Sequence, residues 1–122
     1  MAGSRILVID DNIDLTKIIS MVLSFEGFLV QVCNNLEEGA ICMQEWEPHL
    51  LLLDVNINGQ DAREFSKSIK RDKGESIKII LMSGDELNFD GDLMYAADDY
   101  IVKPFDSNYL VQKIASFGVQ KV

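Results

Sequence analysis

Residues 50–55 have the sequence LLLLDV, and this apolar run decides the fold class. Its leucines supply apolar side chains to both faces of a strand, a pattern typical of a central parallel strand covered by helices on both sides. Four other short runs rich in apolar residues, at residues 5–10, 28–33, 77–82 and 100–102, are also predicted to be strands. We therefore predict five strands, with residues 50–55 at the centre of the sheet.

Segments with helical periodicity separate these strands. Asn12 or Asp14 is predicted to cap the first helix, and Asp106 or Ser107 the last. The residues predicted to face the core, helix by helix, are Leu15, Ile18, Ile19, Val22 and Leu23; Leu36, Ala40 and Met43; Ala62, Phe65 and Ile69; and Leu110, Ile114 and Phe117.

The alternation of strands and helices, with short connections, predicts a parallel sheet with helices on both faces. We expect a single three-layer α/β domain, with five strands in the flavodoxin-like order 2-1-3-4-5 and five flanking helices. The fourth helix is expected at residues 86–97 and, because Gly91 and neighbouring aspartates disfavour a helix, to be short or irregular. The domain is assigned to residues 5–119, with tails at residues 1–4 and 120–122.

The composition excludes several classes of protein. The 122 residues include 20 acidic and 11 basic side chains, for a formal net charge of −9. This balance argues against a direct nucleic-acid binder and against docking on anionic membranes. Cys33 and Cys42 form no C-x-x-C pair and His49 is the only histidine, so a zinc site is excluded and both cysteines are predicted core residues. No export signal is apparent, and we expect a cytoplasmic location.

Polar residues follow the predicted strands at the points where they end. In an open parallel sheet, ligands bind at the carboxyl ends of the strands. Three carboxylates, a hydroxyl and an amine are therefore expected to converge on one edge; in chain order they belong to Asp10, Asp11, Asp54, Ser83 and Lys103.

Such a cluster predicts a particular chemistry. Neighbouring carboxylates repel one another unless a cation neutralises them, and a set of oxygen ligands suits Mg²⁺. A lysine and a hydroxyl beside that ion are suited to hold phosphoryl oxygens, and an aspartate can act as nucleophile. The residues therefore indicate Mg²⁺-assisted phosphoryl transfer or phosphate recognition, without identifying the nucleophile.

Four segments resemble the motifs of one family, the receiver domains of two-component response regulators, and in particular its chemotaxis-regulator-like members. Val8-Ile9-Asp10-Asp11 resembles the acid pair of the family, and Leu51-Leu52-Leu53-Asp54 resembles the strand that carries its phospho-accepting aspartate. Ser83 lies at its Ser/Thr position, and residues 98–105, DDYIVKPF, resemble its lysine–proline segment. The resemblance extends from about Arg5 to Phe117.

The resemblance implies a mechanism centred on Asp54. This residue is expected to take a phosphoryl group from a phosphohistidine of a sensor histidine kinase or phosphotransfer protein, or from a small donor. Asp11, Asp54 and the backbone carbonyl of Asn56 are expected to hold Mg²⁺, with Asp10 helping directly or through water. Lys103 is expected to pair with the phosphoryl oxygens.

The resemblance also implies a two-state switch rather than an enzyme. Ser83 is expected to hydrogen-bond the phosphoryl group and Tyr100 to turn inward. These movements are expected to change the signalling face, which is formed by the fourth helix, the last strand and the last helix. Asn56 and Asp85 are expected to tune hydrolysis of the phosphoryl group, and the Lys103–Pro104 bond to be cis. The output is expected to be a downstream protein target or an appended output domain, with phosphorylation-dependent dimerisation as an open possibility.

The chain departs from the family in two places, and other functions remain open. Ile57-Asn58 replaces the usual Met-Pro and Ala62 the usual glycine, so we expect a more flexible loop after Asp54. The spacing from Ser83 to Lys103 is also short. The alternative function is a constitutive protein-interaction module that does not depend on phosphorylation. A stand-alone phosphatase or phosphotransferase is disfavoured because the sequence indicates no further substrate site.

Overall fold

The structure, a computed structural model, describes residues 3–84 and 97–118. Its strands are β1 (Arg5–Ile9), β2 (Leu29–Cys33), β3 (Leu50–Asp54), β4 (Asn56–Ile57), β5 (Gln60–Asp61), β6 (Lys78–Ser83) and β7 (Asp99–Val102). Its α-helices are α1 (Ile13–Phe25), α2 (Leu36–Trp46), α3 (Arg63–Lys73) and α4 (Ser107–Ala115). Among these described helices, none is long and apolar enough to cross a membrane.

Five of the strands form one parallel sheet in the order β2-β1-β3-β6-β7, which confirms the predicted flavodoxin-like order. Each end of these strands lies within one residue of its predicted position. β3 is central, between β1 and β6. The predicted fourth helix, residues 86–97, falls outside the described residues except for Ala97, and α4 is the last helix of the prediction.

The core consists of two apolar layers, one on each face of the sheet. Leu51 and Leu53 of β3 belong to the layer beside α2 and α3, whereas Leu50 and Leu52 belong to the layer beside α1 and α4. Every leucine of β3 is fully buried. The strand is therefore covered on both sides, as its continuous apolar sequence predicts.

Two residues predicted to face the core do not. Ile18 of α1 is 57% exposed, and Ala40 of α2 is also exposed. The buried residues of α2 are instead Gly39, Cys42 and Met43. The helix is rotated toward Gly39 because a residue without a side chain allows the backbone of α2 to approach β1 closely.

The predicted caps are observed at both ends of the chain. The Asn12 side chain accepts a hydrogen bond from the Leu15 N–H (3.1 Å). The Asp106 side chain accepts one from the Tyr109 N–H (2.8 Å). Each bond satisfies a backbone donor that the first turn of a helix leaves unpaired.

Gly39 provides a test of the packing between α2 and β1. A Cβ at this position would overlap Cδ1 of Ile9 and lie 3.2 Å from its Cγ1. We expect Gly39→Ala to lower the free energy of unfolding by about 1 kcal/mol, because overpacking outweighs the gain in helix propensity. In an Ile9→Val background, which lacks Cδ1, the same change should lower the free energy of unfolding by less, because the closest overlap is removed. Urea unfolding of the four proteins measures both effects, and equal effects in the two backgrounds would contradict the packing argument.

Candidate functional site

The carboxyl ends of four parallel strands bring the predicted site residues together. Asp10 follows β1, Asp54 ends β3, Ser83 ends β6 and Lys103 follows β7. Asp10 is fully buried, whereas Asp54 is 8% and Ser83 4% exposed. The Lys103 N–H donates to the Ser83 carbonyl (2.7 Å), which ties β7 to β6 at this edge.

Three carboxylates meet at one point of this edge. One oxygen from each of Asp10, Asp11 and Asp54 lies within 4.8 Å of the others. Asp11 is exposed, so the cluster opens to solvent on its side. All the converging ligand atoms are carboxylate oxygens, the donor type that Mg²⁺ prefers over softer metals. The residues therefore fit a hard divalent cation.

Lys103 is the cation that contacts this cluster. Its Nζ lies 2.7 Å from Oδ2 of Asp10 and 3.4 Å from Oδ1 of Asp54. The other carboxylate oxygen of Asp10 accepts a hydrogen bond from the Asn12 N–H (2.9 Å). One lysine neutralises one of three negative charges, so a divalent cation would complete the balance.

The surroundings of Asp54 disfavour its ionised form. Burial, and secondarily the negative charge of Asp10, raises the pKa of Asp54 from 3.8 to about 6, although Lys103 opposes this shift. Burial disfavours the ionised form of a carboxyl, and a nearby like charge adds to that effect. The folded protein therefore holds the ionised form of Asp54 less favourably than water does.

A short hairpin holds Asp11 in place. β4 and β5 pair through a two-residue turn in which Asn58 (φ 53°) and Gly59 (φ 80°) both have positive φ. The Asn58 N–H donates to Oδ2 of Asp11 (2.8 Å). Asn-Gly favours this turn type, so the dipeptide is a sequence signal that our expectation of a flexible loop missed.

Asn34 is a second residue that the sequence analysis missed. Its side-chain amide donates to the Asp10 carbonyl (2.8 Å) and to the Thr16 hydroxyl (3.1 Å). Asn34 follows β2 at the same edge of the sheet as the acids. It therefore fixes the backbone of the acid pair, but nothing in its local sequence distinguishes it from an ordinary loop asparagine.

The remaining predicted residues lie near the cluster or outside the described residues. Asn56 is exposed at the start of β4, two residues after Asp54, and its role as a carbonyl ligand stays a prediction. Tyr100 is 37% exposed in β7, with Lys113 Nζ 6.0 Å from its ring centroid. Asp85 lies outside the described residues. The Lys103–Pro104 bond is cis, as the resemblance implies.

The comparisons with known proteins agree with one another. The sequence profile of the family described as response regulator receiver domain matches residues 6–115. The DNA-binding response regulator MtrA of Mycolicibacterium paratuberculosis is 32% identical over 90% of this chain and 49% of its own length. The phosphate regulon transcriptional regulatory protein PhoB of Pseudomonas aeruginosa is 32% identical over 93% of this chain and 51% of its own length. The chain thus spans about half the length of these curated relatives.

A solved structure supports the same assignment. The response regulator TrrA of Thermotoga maritima, determined in complex with Mg²⁺-BeF, superposes with a TM-score of 0.85 and 28% sequence identity. The superposition covers 93% of this chain and 98% of that one.

Proposed function

The chain belongs to the response regulator receiver domain family of two-component signalling, and from this membership we propose that Asp54 accepts a phosphoryl group in a Mg²⁺-dependent reaction that switches the signalling state of the domain. We place this receiver domain at residues 5–119. The alternative, a constitutive interaction module, is not favoured because the acid cluster and its lysine are both complete.

One observation supports Asp54 as the nucleophile among the three acids. Asp10 is engaged by Lys103 and by the Asn12 N–H, and Asp11 by the Asn58 N–H. Within residues 3–84 and 97–118, the Asp54 carboxylate is contacted only by Lys103, at Oδ1. Its second oxygen therefore has no competing donor among the described residues and is available to attack phosphorus.

The proposed reaction uses these side chains in the following way. An Asp54 oxygen forms a bond to phosphorus while the bond from phosphorus to the donor nitrogen of a phosphohistidine breaks, which leaves an acyl phosphate. Lys103, already between two carboxylates, is placed to pair with the phosphoryl oxygens, and the Ser83 hydroxyl to hydrogen-bond one of them. Bound Mg²⁺, held by Asp10, Asp11, Asp54 and the Asn56 carbonyl, would supply positive charge against those oxygens.

The partners follow from the same proposal. A sensor histidine kinase or phosphotransfer protein donates the group, and a protein target or an output domain receives the signal through Ser83 and Tyr100. We assign no nucleic-acid contact to this domain, because its net charge of −9 opposes binding to a phosphate backbone.

An apolar depression beside the acid cluster favours a protein as phosphodonor. It has a volume of about 370 Å³ and is lined by Leu15, Lys103, Pro104 and Phe105. Lys103 belongs to both the depression and the cluster. A donor protein seated on these side chains would therefore place its phosphohistidine next to Asp54.

Beryllofluoride, a mimic of the phosphoryl group, tests the switch. With Mg²⁺ present, we expect its addition to shift the backbone amide resonances of Ser83, Tyr100 and Lys103 in ¹H–¹⁵N spectra. Ser83 ends β6, the strand paired with β3, and the other two residues lie in or directly after β7, the strand paired with β6. Beryllofluoride in EDTA is the matched control and should shift none of them. An unchanged spectrum with Mg²⁺ would favour the constitutive module.

A further inference from the structure

A second polar site lies at the opposite end of the sheet. A cavity of about 350 Å³ opens at the amino-terminal ends of the strands, where Arg5 begins β1 and His49 and Ile77 precede β3 and β6. Lys73, at the end of α3, and Ser76 also line it. The carboxylate cluster lies at the carboxyl ends of the same strands, so the two sites are separated by the length of the sheet.

The cationic side chains at this cavity lack acidic partners within residues 3–84 and 97–118. Ten of the 11 Lys and Arg residues are described, since Lys121 lies outside the described ranges. Seven of the ten form salt bridges with carboxylates: Arg63, Lys67, Lys70, Arg71, Lys78, Lys103 and Lys113. The three without a carboxylate partner among the described residues are Arg5, Lys17 and Lys73. Two of these three line the cavity.

Arg5 is held in a fixed position at the cavity. Its Nε donates to the Trp46 carbonyl (2.9 Å) and its Nη2 to the Glu47 carbonyl (2.8 Å), at the carboxyl end of α2. These bonds orient the guanidinium, and no carboxylate of the described residues forms a salt bridge with it. A cation ordered in this way loses little conformational entropy when it binds an anion.

His49 adds a neutral donor. Its Nδ1 accepts a hydrogen bond from the Arg5 N–H (2.9 Å), which places the ring proton of the neutral form on Nε2. Burial, with a smaller effect of the Arg5 charge, lowers the pKa of His49 and keeps the ring neutral near pH 7. No described residue accepts a hydrogen bond from Nε2, so this donor is available to a ligand.

We propose that this cavity binds a small multiply charged anion, a phosphate or polycarboxylate, through Arg5, His49 and Lys73. Glu47 is the one carboxylate of the lining, so with Arg5 and Lys73 the lining has a formal charge of +1, whereas the chain as a whole has a net charge of −9. The excess negative charge of the chain repels anions over long range, but salt screens that repulsion beyond about 8 Å. Contacts inside the cavity therefore determine the affinity.

The test compares two lysines, Lys73 and Lys17, that lack a carboxylate partner in the part of the chain that the structure describes. Inorganic phosphate and citrate are titrated separately into the ¹⁵N-labelled chain at constant ionic strength, in a buffer that contains neither Mg²⁺ nor a chelator, following the amides of Arg5 and His49 and the fluorescence of Trp46. We expect saturable changes for at least one anion. Lys73→Gln should weaken that binding by about tenfold, the effect of losing one charge-assisted hydrogen bond, and the matched control Lys17→Gln by less than about twofold.

The results distinguish binding at this cavity from nonspecific electrostatic attraction, and a phosphate ligand from a polycarboxylate. Saturation by citrate alone or by phosphate alone, with dependence on Lys73, would support the site and identify its class of ligand. Absence of saturable changes, equal weakening by Lys73→Gln and Lys17→Gln, or changes confined to the amides beside Asp54 would overturn the proposal. Thermal unfolding of both variants confirms that each is folded.

Discussion

Asp54→Asn is expected to abolish the adduct of one phosphoryl group that the chain should acquire from acetyl phosphate and Mg²⁺. The amide of asparagine is a poor nucleophile, so no acyl phosphate forms. The two neighbouring acids are already engaged, Asp10 by Lys103 and Asp11 by the Asn58 N–H, and are not expected to take over. Intact-mass spectrometry of the two proteins after the same incubation measures the effect.

The matched control for this experiment is Asp61→Asn. Asp61 lies in β5, seven residues after Asp54, is exposed and pairs with Arg63, so the change removes the same charge outside the cluster. The control variant should keep the adduct. An equal adduct on Asp54→Asn and on the wild-type chain would refute Asp54 as the acceptor and, with it, the proposed mechanism.

The same substitution is expected to stabilise the metal-free protein. In EDTA at pH 7, Asp54→Asn should raise the free energy of unfolding by about 1–3 kcal/mol, the order that a pKa raised from 3.8 to about 6 represents. The reason is that folding buries an ionised carboxylate beside Asp10 and Asp11, with one lysine shared between Asp10 and Asp54. Urea unfolding followed by the fluorescence of Trp46 measures the difference.

The sign of the pH dependence follows from the raised pKa. The folded state holds the Asp54 proton more tightly than the unfolded state does. Ionisation of this group therefore lowers the free energy of unfolding as pH rises from about 4 to about 6. The advantage of Asp54→Asn should therefore shrink as pH falls through that window. Mg²⁺ should also reduce the difference in free energy of unfolding between Asp54→Asn and the wild-type chain, because an ion that binds only the folded wild-type chain stabilises it.

Asp61→Asn again supplies the control. Pairing with Arg63 lowers the pKa of Asp61, so this charge favours folding and its removal should give no stabilisation. If Asp54→Asn were no more stable than the wild-type chain in EDTA, the account of an electrostatically strained acid cluster would be wrong.

The order of elements and the edge that carries the site were predictable because both depend on short stretches of sequence. The apolar run at residues 50–55 predicts a strand buried on both faces, and the structure buries β3 completely. Asp10, Asp54, Ser83 and Lys103 each stand where a strand ends, and parallel strands end at the same edge.

The faces of the helices were predicted less well. Ile18 and Ala40 fit an apolar stripe in sequence, but each lies on the exposed side of its helix. Periodicity defines a stripe only to within about one residue, or about 100° around the helix. The close approach at Gly39 determines the rotation of α2, and that contact involves Ile9 of a different element.

The sequence by itself determined the α/β class, the strand order and the set of acidic, hydroxyl and amine groups at one edge. Each of these depends on sequence patterns that are local to single strands and helices and on the order in which those elements follow one another. Only the tertiary structure decided which groups touch. Lys103 reaches Asp10 across 93 positions, the Asn58 N–H reaches Asp11 across 47, and Arg5 and Lys73 line one cavity at the far end of the sheet. Such contacts depend on the packing of whole elements against one another, which no local stretch of sequence specifies.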